Sequence, residues 1–376
     1  MNSKNERNIL ITDSGKSSAE KGFTMIEVIV SMVLFLIVTA SVYGLLQVGR
    51  IDRNRASRRS DVLKNARVAI HLIGRDALNA GLGYHRRGAV VPDDFLSRNL
   101  QIPVDTNVER DLLATITAGN NLFQNNLQTD AEARTDLIAF AFRDVDFNAG
   151  NVIDLKNVST PSGQPAVAQL ESNVANGAVN VRRNDLFLIE SDTSQVAIMA
   201  GDLAAGNKIN VPPGDLLGIN QPMDVTGGNG SMLRKCLPST ATFTDEDCTT
   251  YLAAMKRFFW VSYRVKQDGT LVRIVYGNNR AGTDDEQIQE QPLAYNVEDF
   301  QVRYVLENGI VTENPSAGND AIAGTDDDDF EALNLIRQIV VTVRVQSTEI
   351  DEQLKTPVTV TLSATFSLRN LEYDAG

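Results

Sequence analysis

The chain has 376 residues, a net charge of −13, two histidines and two cysteines. So acidic a balance excludes general nucleic-acid binding, which needs basic patches to meet phosphates. The length allows a membrane stalk and a large head, with roughly 290 residues left for the head once the first eighty or so are set aside.

The first 22 residues are polar and make a poor secretory signal, whose apolar core would precede the cut. Gly15-Lys16-Ser17 echoes a phosphate loop, but Leu10 stands where its first glycine belongs and no strand precedes it. From Val28 to Val48 run 21 residues without a formal charge, long enough to cross a bilayer as a helix. Glu27 stands at the edge of that run. A carboxylate costs about 2.5–3.5 kcal/mol at a bilayer centre and less near its edge, so it invites a functional explanation.

Lys21-Gly22-Phe23-Thr24-Met25-Ile26-Glu27 followed by the apolar helix resembles the class III signal of type IV prepilins. The resemblance implies cleavage by prepilin peptidase after Gly22 and methylation of the new N-terminus, Phe23. It also implies an assembly role for Glu27, whose carboxylate can neutralise an α-amino group in a filament core where water is scarce. The bland alternative for Glu27 is an acidic residue favourable to the helix dipole, and for the whole segment a single-pass anchor with a polar tail. The loop of positive charge conflicts with the resemblance. Arg50, Arg53, Arg55, Arg58 and Arg59 would be drawn to the cytoplasm. Lys4, Arg7, Lys16 and Lys21 are partly offset by Glu6, Asp13 and Glu20. The cleavage motif decides for a cytoplasmic N-terminus and a periplasmic head.

Past the apolar run, Leu63, Ala66, Ile70, Ile73 and Ala77 recur at helical spacing, and Gly81 and Gly83 end the pattern. The expected helix covers about 24–80. His71 lies on it among apolar residues and reads as packing or rim; His85 reads as surface.

Strand signals follow: 136–142, 185–190, and a hairpin of 258–265 and 271–276 about Asp268-Gly269. A second hairpin joins 300–306 to Ile310-Val311 through Asn308-Gly309, and alternating segments close the chain at 339–345 and 358–368. Residues 143–184, rich in Asn, Gly, Ser and Pro, read as loop with minor strands. The expected fold class is α+β: a long N-terminal helix packed on a large antiparallel β-rich head. The divisions expected are leader 1–22, membrane or filament-core helix 23–50, amphipathic helix 51–83 and head 84–376.

Tyr263-Arg264-Val265, Asp268-Gly269, Leu271-Val272-Arg273, Pro292-Leu293-Ala294 and Val297-Glu298-Asp299-Phe300-Gln301-Val302, with Tyr304, look like the head of PilW-type minor pilins. Asn65-Ala66-Arg67, Arg75-Asp76, Ala80–Tyr84 and the closing Leu368-Arg369-Asn370-Leu371 are similar to that family as well. Residues 85–257 carry no such resemblance. It implies a minor pilin of the bacterial inner membrane that passes into a pilus at the cell surface. Its partners would be prepilin peptidase, other major and minor pilins, the inner-membrane assembly machinery and inner-membrane lipid. The alternatives are a type II secretion pseudopilin of the GspJ type and a membrane-tethered adhesin or binding protein.

Cys236 and Cys248 have eleven residues between them. In an oxidising compartment that spacing suits a disulfide worth on the order of 3 kcal/mol; two free thiols are the alternative. Neither belongs to a CxxC pair, which argues against zinc or thioredoxin-like chemistry. Asp144, Asp146 and Asn148 alternate like the start of a calcium loop, but Ala149 stands at the glycine position and Leu155 at position twelve, so a solvated acidic turn is expected. Asp284-Asp285-Glu286 and Asp326–Asp329 read as solvated loops. With no catalytic constellation to assemble, the chain is expected not to be an enzyme and to need no cofactor or metal.

Overall fold

The computed structural model describes residues 22–84, 88–103, 111–160, 163–164, 166–172, 180–190, 195–201, 203–204, 208–222, 254–279, 287–315, 333, 335–351 and 353–368. Helix α1 is a single element, Met25–Asn79, matching the helix expected over 24–80. It contains no proline, and it stops where Ala80–Gly83 turn, with Gly81 and Gly83 at φ of 79° and 59°. Left-handed backbone at that place is what glycine supplies without a Cβ penalty. The chain divides into two units, Met1–Ala56 and Ser57–Gly376, with the division falling inside α1.

In the first unit every residue from Gly22 to Arg50 is exposed. The apolar side chains of that stretch therefore find no cover within their own chain.

The second unit holds the other end of α1 and all the described strands. In chain order these are β1 (Ala89–Val91), the short helix α2 (Phe95–Leu100), β2 (Asp111–Leu113), β3 (Ile116–Phe123) and β4 (Thr135–Arg143). Next come β5 (Ile153–Ser159), β6 (Ala168–Ser172), β7 (Leu186–Glu190), β8 (Gln195–Met199), β9 (Leu203–Ala204) and β10 (Lys208–Val211). The last are β11 (Ala254–Val265), β12 (Leu271–Tyr276), β13 (Ile288–Ala294), β14 (Val297–Leu306), β15 (Val311–Thr312), β16 (Ile336–Ile350) and β17 (Pro357–Ser367). Among the described residues they form a branched sheet of thirteen strands and a second sheet ordered β15-β14-β16-β17. β11 is the hub of the larger sheet. Its first residues pair with β7 and β5, its last with β4 and β12. The α+β class is as expected, a long helix followed by a β-rich head.

Both hairpins sit where Asp-Gly and Asn-Gly placed them: Val265 faces Leu271, and Val305 faces Val311. The minor strands expected within 143–184 are β5 and β6, which pair along Leu155–Ser159 against Gln169–Ser172.

β4 shows why its sequence does not alternate. Ile138, Phe140 and Phe142 face a core shared with α1 and the four-stranded sheet, while Leu137, Ala139 and Ala141 face a second core with α2, β1, β7 and β8. A strand buried on both faces reads as one continuous apolar run. A third core lies under β5, β6, β8 and β10.

On α1 the buried residues are Val62, Ala66, Ala69, Ile70, Gly74, Ile73, Asp76 and Ala77. Leu63 is only half-buried, with Val62 taking the inner place. Helix and sheet approach closely at Gly74, where an added Cβ would lie 2.2 Å from Phe366 Cε1.

Candidate functional site

Gly22, Phe23 and Thr24 lead into α1 outside any helix or strand. Among the described residues, chain neighbours aside, no atom lies within 4 Å of a Cβ built on Gly22, and Phe23 is 88% exposed.

Glu27 is not merely an acidic residue near a helix start. Thr24 is the residue before the helix, and its backbone N–H and its hydroxyl each donate to Glu27 Oε2 at 2.9 Å. In return the Glu27 N–H donates to Thr24 Oγ1 at 3.4 Å. This is a reciprocal capping box, which satisfies two of the amide groups a helix start leaves without partners. The Thr-x-x-Glu spacing of the sequence is the signature of this cap.

Beyond Glu27, α1 holds an 18-residue window of mean hydropathy 2.5, none of it buried, which by length and composition can cross a membrane. Two hydroxyls in it are turned onto their own helix: Ser31 Oγ donates to Val28 O at 2.9 Å and Ser41 Oγ to Ile37 O at 2.8 Å. Such back-bonding removes donors that lipid cannot satisfy.

The other predicted residues lie apart from this site. Cys236, Cys248, His85, Asp284–Glu286, Asp326–Asp329 and Gly15–Ser17 fall outside the described residues. His71 is exposed, which leaves the rim reading of the two expected for it.

The expected solvated turn at Asp144 is corrected by the structure. Asp144 is buried, its Oδ1 accepting the N–H groups of Asp146 and Phe147 at 3.0 and 3.2 Å. Its Oδ2 takes the Arg257 Nε at 2.8 Å, and Arg257 also lies 4.5 Å over the Phe147 ring. The carboxylate is thus turned inward to hold β11 rather than outward to water. Asn148, Ala149 and Gly150 follow with φ of 53°, 51° and 79°, a left-handed run and not a calcium loop.

A second buried ion pair, with no local sequence signal, ties α1 to the sheet. Asp76 Oδ2 accepts from the Tyr263 hydroxyl at 2.6 Å and from Arg273 Nε at 2.7 Å. Leu72 O also lies 3.2 Å from the Tyr263 hydroxyl, whose one proton goes to the nearer Asp76, and burial with Asp76 beside it pushes the hydroxyl pKa far up. Among the described residues no group of three or more His, Cys, Asp or Glu side chains is placed to hold a metal. A polar groove of about 500 Å³ lies by Asn121, Asp130, Arg134, Glu298, Gln301 and Arg344. Its facing charges are partly spent on each other, Arg344 Nε lying 3.1 Å from Glu298.

Residues 17–43 match the prokaryotic N-terminal methylation motif, which spans the exposed Gly22–Phe23 bond, the capping box and the first part of the apolar helix. The motif supports a type IV pilin-like or pseudopilin-like subunit processed at its N-terminus, and it implies prepilin peptidase and other pilins as partners. No curated protein and no solved structure matches the chain.

Proposed function

We propose that this chain is a PilW-type minor pilin with a structural and assembly role and no catalytic one. It is cut after Gly22, methylated on Phe23 and held in the bacterial inner membrane by α1. It is then drawn by the inner-membrane assembly machinery into a type IV pilus, in a priming, tip or sparse position. The observation that carries this reading is the methylation motif lying at the start of a helix whose apolar side chains up to Val48 are all exposed in the single chain. Lipid covers them first and the helices of other pilins afterwards.

The capping box adds a physical step. Cleavage turns the Phe23 amide into a charged amine one residue from Thr24, whose N–H already rests on Glu27. The carboxylate is therefore held at the helix start, where it can neutralise that amine or the amine of the next subunit. Burying either charge alone is costly, whereas a hydrogen-bonded pair recovers part of that cost. The large head supports sparse incorporation, because a bulky head crowds a regular lattice. Recovery of this chain as the dominant mass of sheared pili would contradict it.

The N-terminus, read by mass spectrometry from hosts with and without prepilin peptidase, tests the reading. A methylated chain starting at Phe23 only when the peptidase is present is expected. An intact Met1 in both hosts would overturn the processing and favour a membrane-tethered binding protein. The same motif suits a secretion pseudopilin of the GspJ type, for which the chain would follow secretion genes and not pilus genes.

A further inference from the structure

The four-stranded sheet ends at β17, and no described residue pairs with the outer side of that strand. β17 is 11 residues long, and no formal charge occurs from Pro357 to Leu368. Natural sheet edges are usually blunted by lysines, bulges or shortness, because their unpaired N–H and C=O groups recruit other strands. Pro357 stands only at the first position, where it leaves the ladder intact. Beneath the same edge Val360, Leu362, Ala364 and Phe366 pack on the core but remain half-buried. Among the described residues, backbone ladder and apolar row are thus both incomplete at one place, and an added strand completes both together.

We propose that β17 is a strand-addition site, filled in the assembled filament by an extended segment of a neighbouring pilin-like subunit. This rests on the assembly role proposed above. The occupant is an uncharged strand with apolar residues at every second position on the α1 side, so that main-chain bonds supply affinity and the half-covered row supplies register.

A second β17 paired antiparallel does not fit. Arg58 bonds Glu349 Oε2 at 2.5 Å and Ile350 O at 3.0 Å, and Ile350 faces Pro357 at the start of β17. Gly74 meets Phe366 near the strand's end. β17 therefore runs in the same direction as the Ser57–Asn79 part of α1. An antiparallel pair of two β17 strands, related by a two-fold axis, would run those helical segments in opposite directions. Subunits that enter one filament from one membrane share one direction.

Hydrogen exchange read by mass spectrometry on the full chain, in dodecyl maltoside micelles and in sheared filaments, tests the proposal. The expected result is at least tenfold slower exchange on assembly at alternate amides of 358–367, the remaining amides being already bonded to β16. Thr361→Lys with Thr365→Lys places two charges on exposed edge positions. Incorporation is expected to fall at least tenfold while cleavage after Gly22 persists. Unchanged incorporation, or protection without the two-residue period, would overturn strand addition and leave the pilin reading standing. Full protection already present in micelles would also overturn it, since the chain would then cover its own edge. Loss of N-terminal processing in the unmodified chain would instead sink the pilin reading.

Discussion

At Glu27 a glutamine would keep an oxygen in place for the Thr24 N–H while removing the charge, since Glu and Gln both serve in a capping box. Glu27→Gln is therefore expected to leave the helix start intact and cleavage after Gly22 unchanged, yet to lower filament incorporation at least tenfold, the same loss expected of Glu27→Ala. Wild-type incorporation of the Gln variant, measured by immunoblot of sheared filaments, would assign Glu27 to capping alone. Thr24→Ala, which removes only the cap, should cost about 1 kcal/mol of local helix stability. This site was legible because its parts lie within six residues of one another, Gly22 to Glu27, and local spacing sets the geometry. Asp76 was not legible. Its partners Tyr263 and Arg273 stand 187 and 197 residues away, and nothing near Asp76 distinguishes it from a surface acid. Asp144 was misread for the same reason, its guanidinium partner being 113 residues distant.

The elements divide along the same line. Both hairpins could be placed because their turns are self-contained: Gly269 at φ 80° donates to Lys266 O at 2.9 Å, and Gly309 sits at φ 83°. The helix could be placed from its apolar period. β5, with polar Asp154, Lys156 and Asn157 in its seven residues, offered no such signal, and its strand character comes from pairing with β6 and β11. Gly74 belongs to this scale as well, since a mid-helix glycine weakens an isolated helix by about 1 kcal/mol relative to alanine. Here the tertiary contact reverses that preference. Gly74→Ala brings a methyl to within 2.2 Å of the Phe366 ring and should destabilise the unit by about 1–3 kcal/mol in urea melts of the full chain in micelles. Combining it with Phe366→Ala should recover part of that loss relative to the sum of the single changes, because the two sites share one contact. Additive effects would show that the helix and β17 are not pressed together at this point.

Across the whole molecule, the joining of the two sheets is the feature least visible in the sequence, and Asp136 on β4 is where they meet. Its Oδ1 accepts the Asn121 N–H of β3 at 2.8 Å and its Oδ2 the Val302 N–H of β14 at 2.7 Å. Beside it Gln301 donates to Arg134 O at 2.8 Å. Burial pushes the Asp136 carboxyl up to about 7, against the lowering by its two backbone donors and with Asp299 and Glu313 adding to the rise. The folded protein thus holds this proton more tightly than the unfolded chain does. The stability from the neutral carboxyl is fully present below the unfolded value near 4, and it is lost as pH rises through about 7. The whole loss is on the order of 4 kcal/mol, with a limiting slope of about 1.4 kcal/mol per pH unit. Asp185, raised to about 6 chiefly by burial, acts with the same sign and over a lower window. The thermal midpoint of the full chain in micelles should therefore fall between pH 5 and pH 7.5. Asp136→Asn cannot ionise, and its amide nitrogen cannot accept the Val302 N–H, so the variant should be less stable at pH 5. Its midpoint should fall less steeply with pH, keeping only what Asp185 contributes. A variant as steep as the unmodified chain would show that Asp136 is not the group titrating at the junction of the sheets.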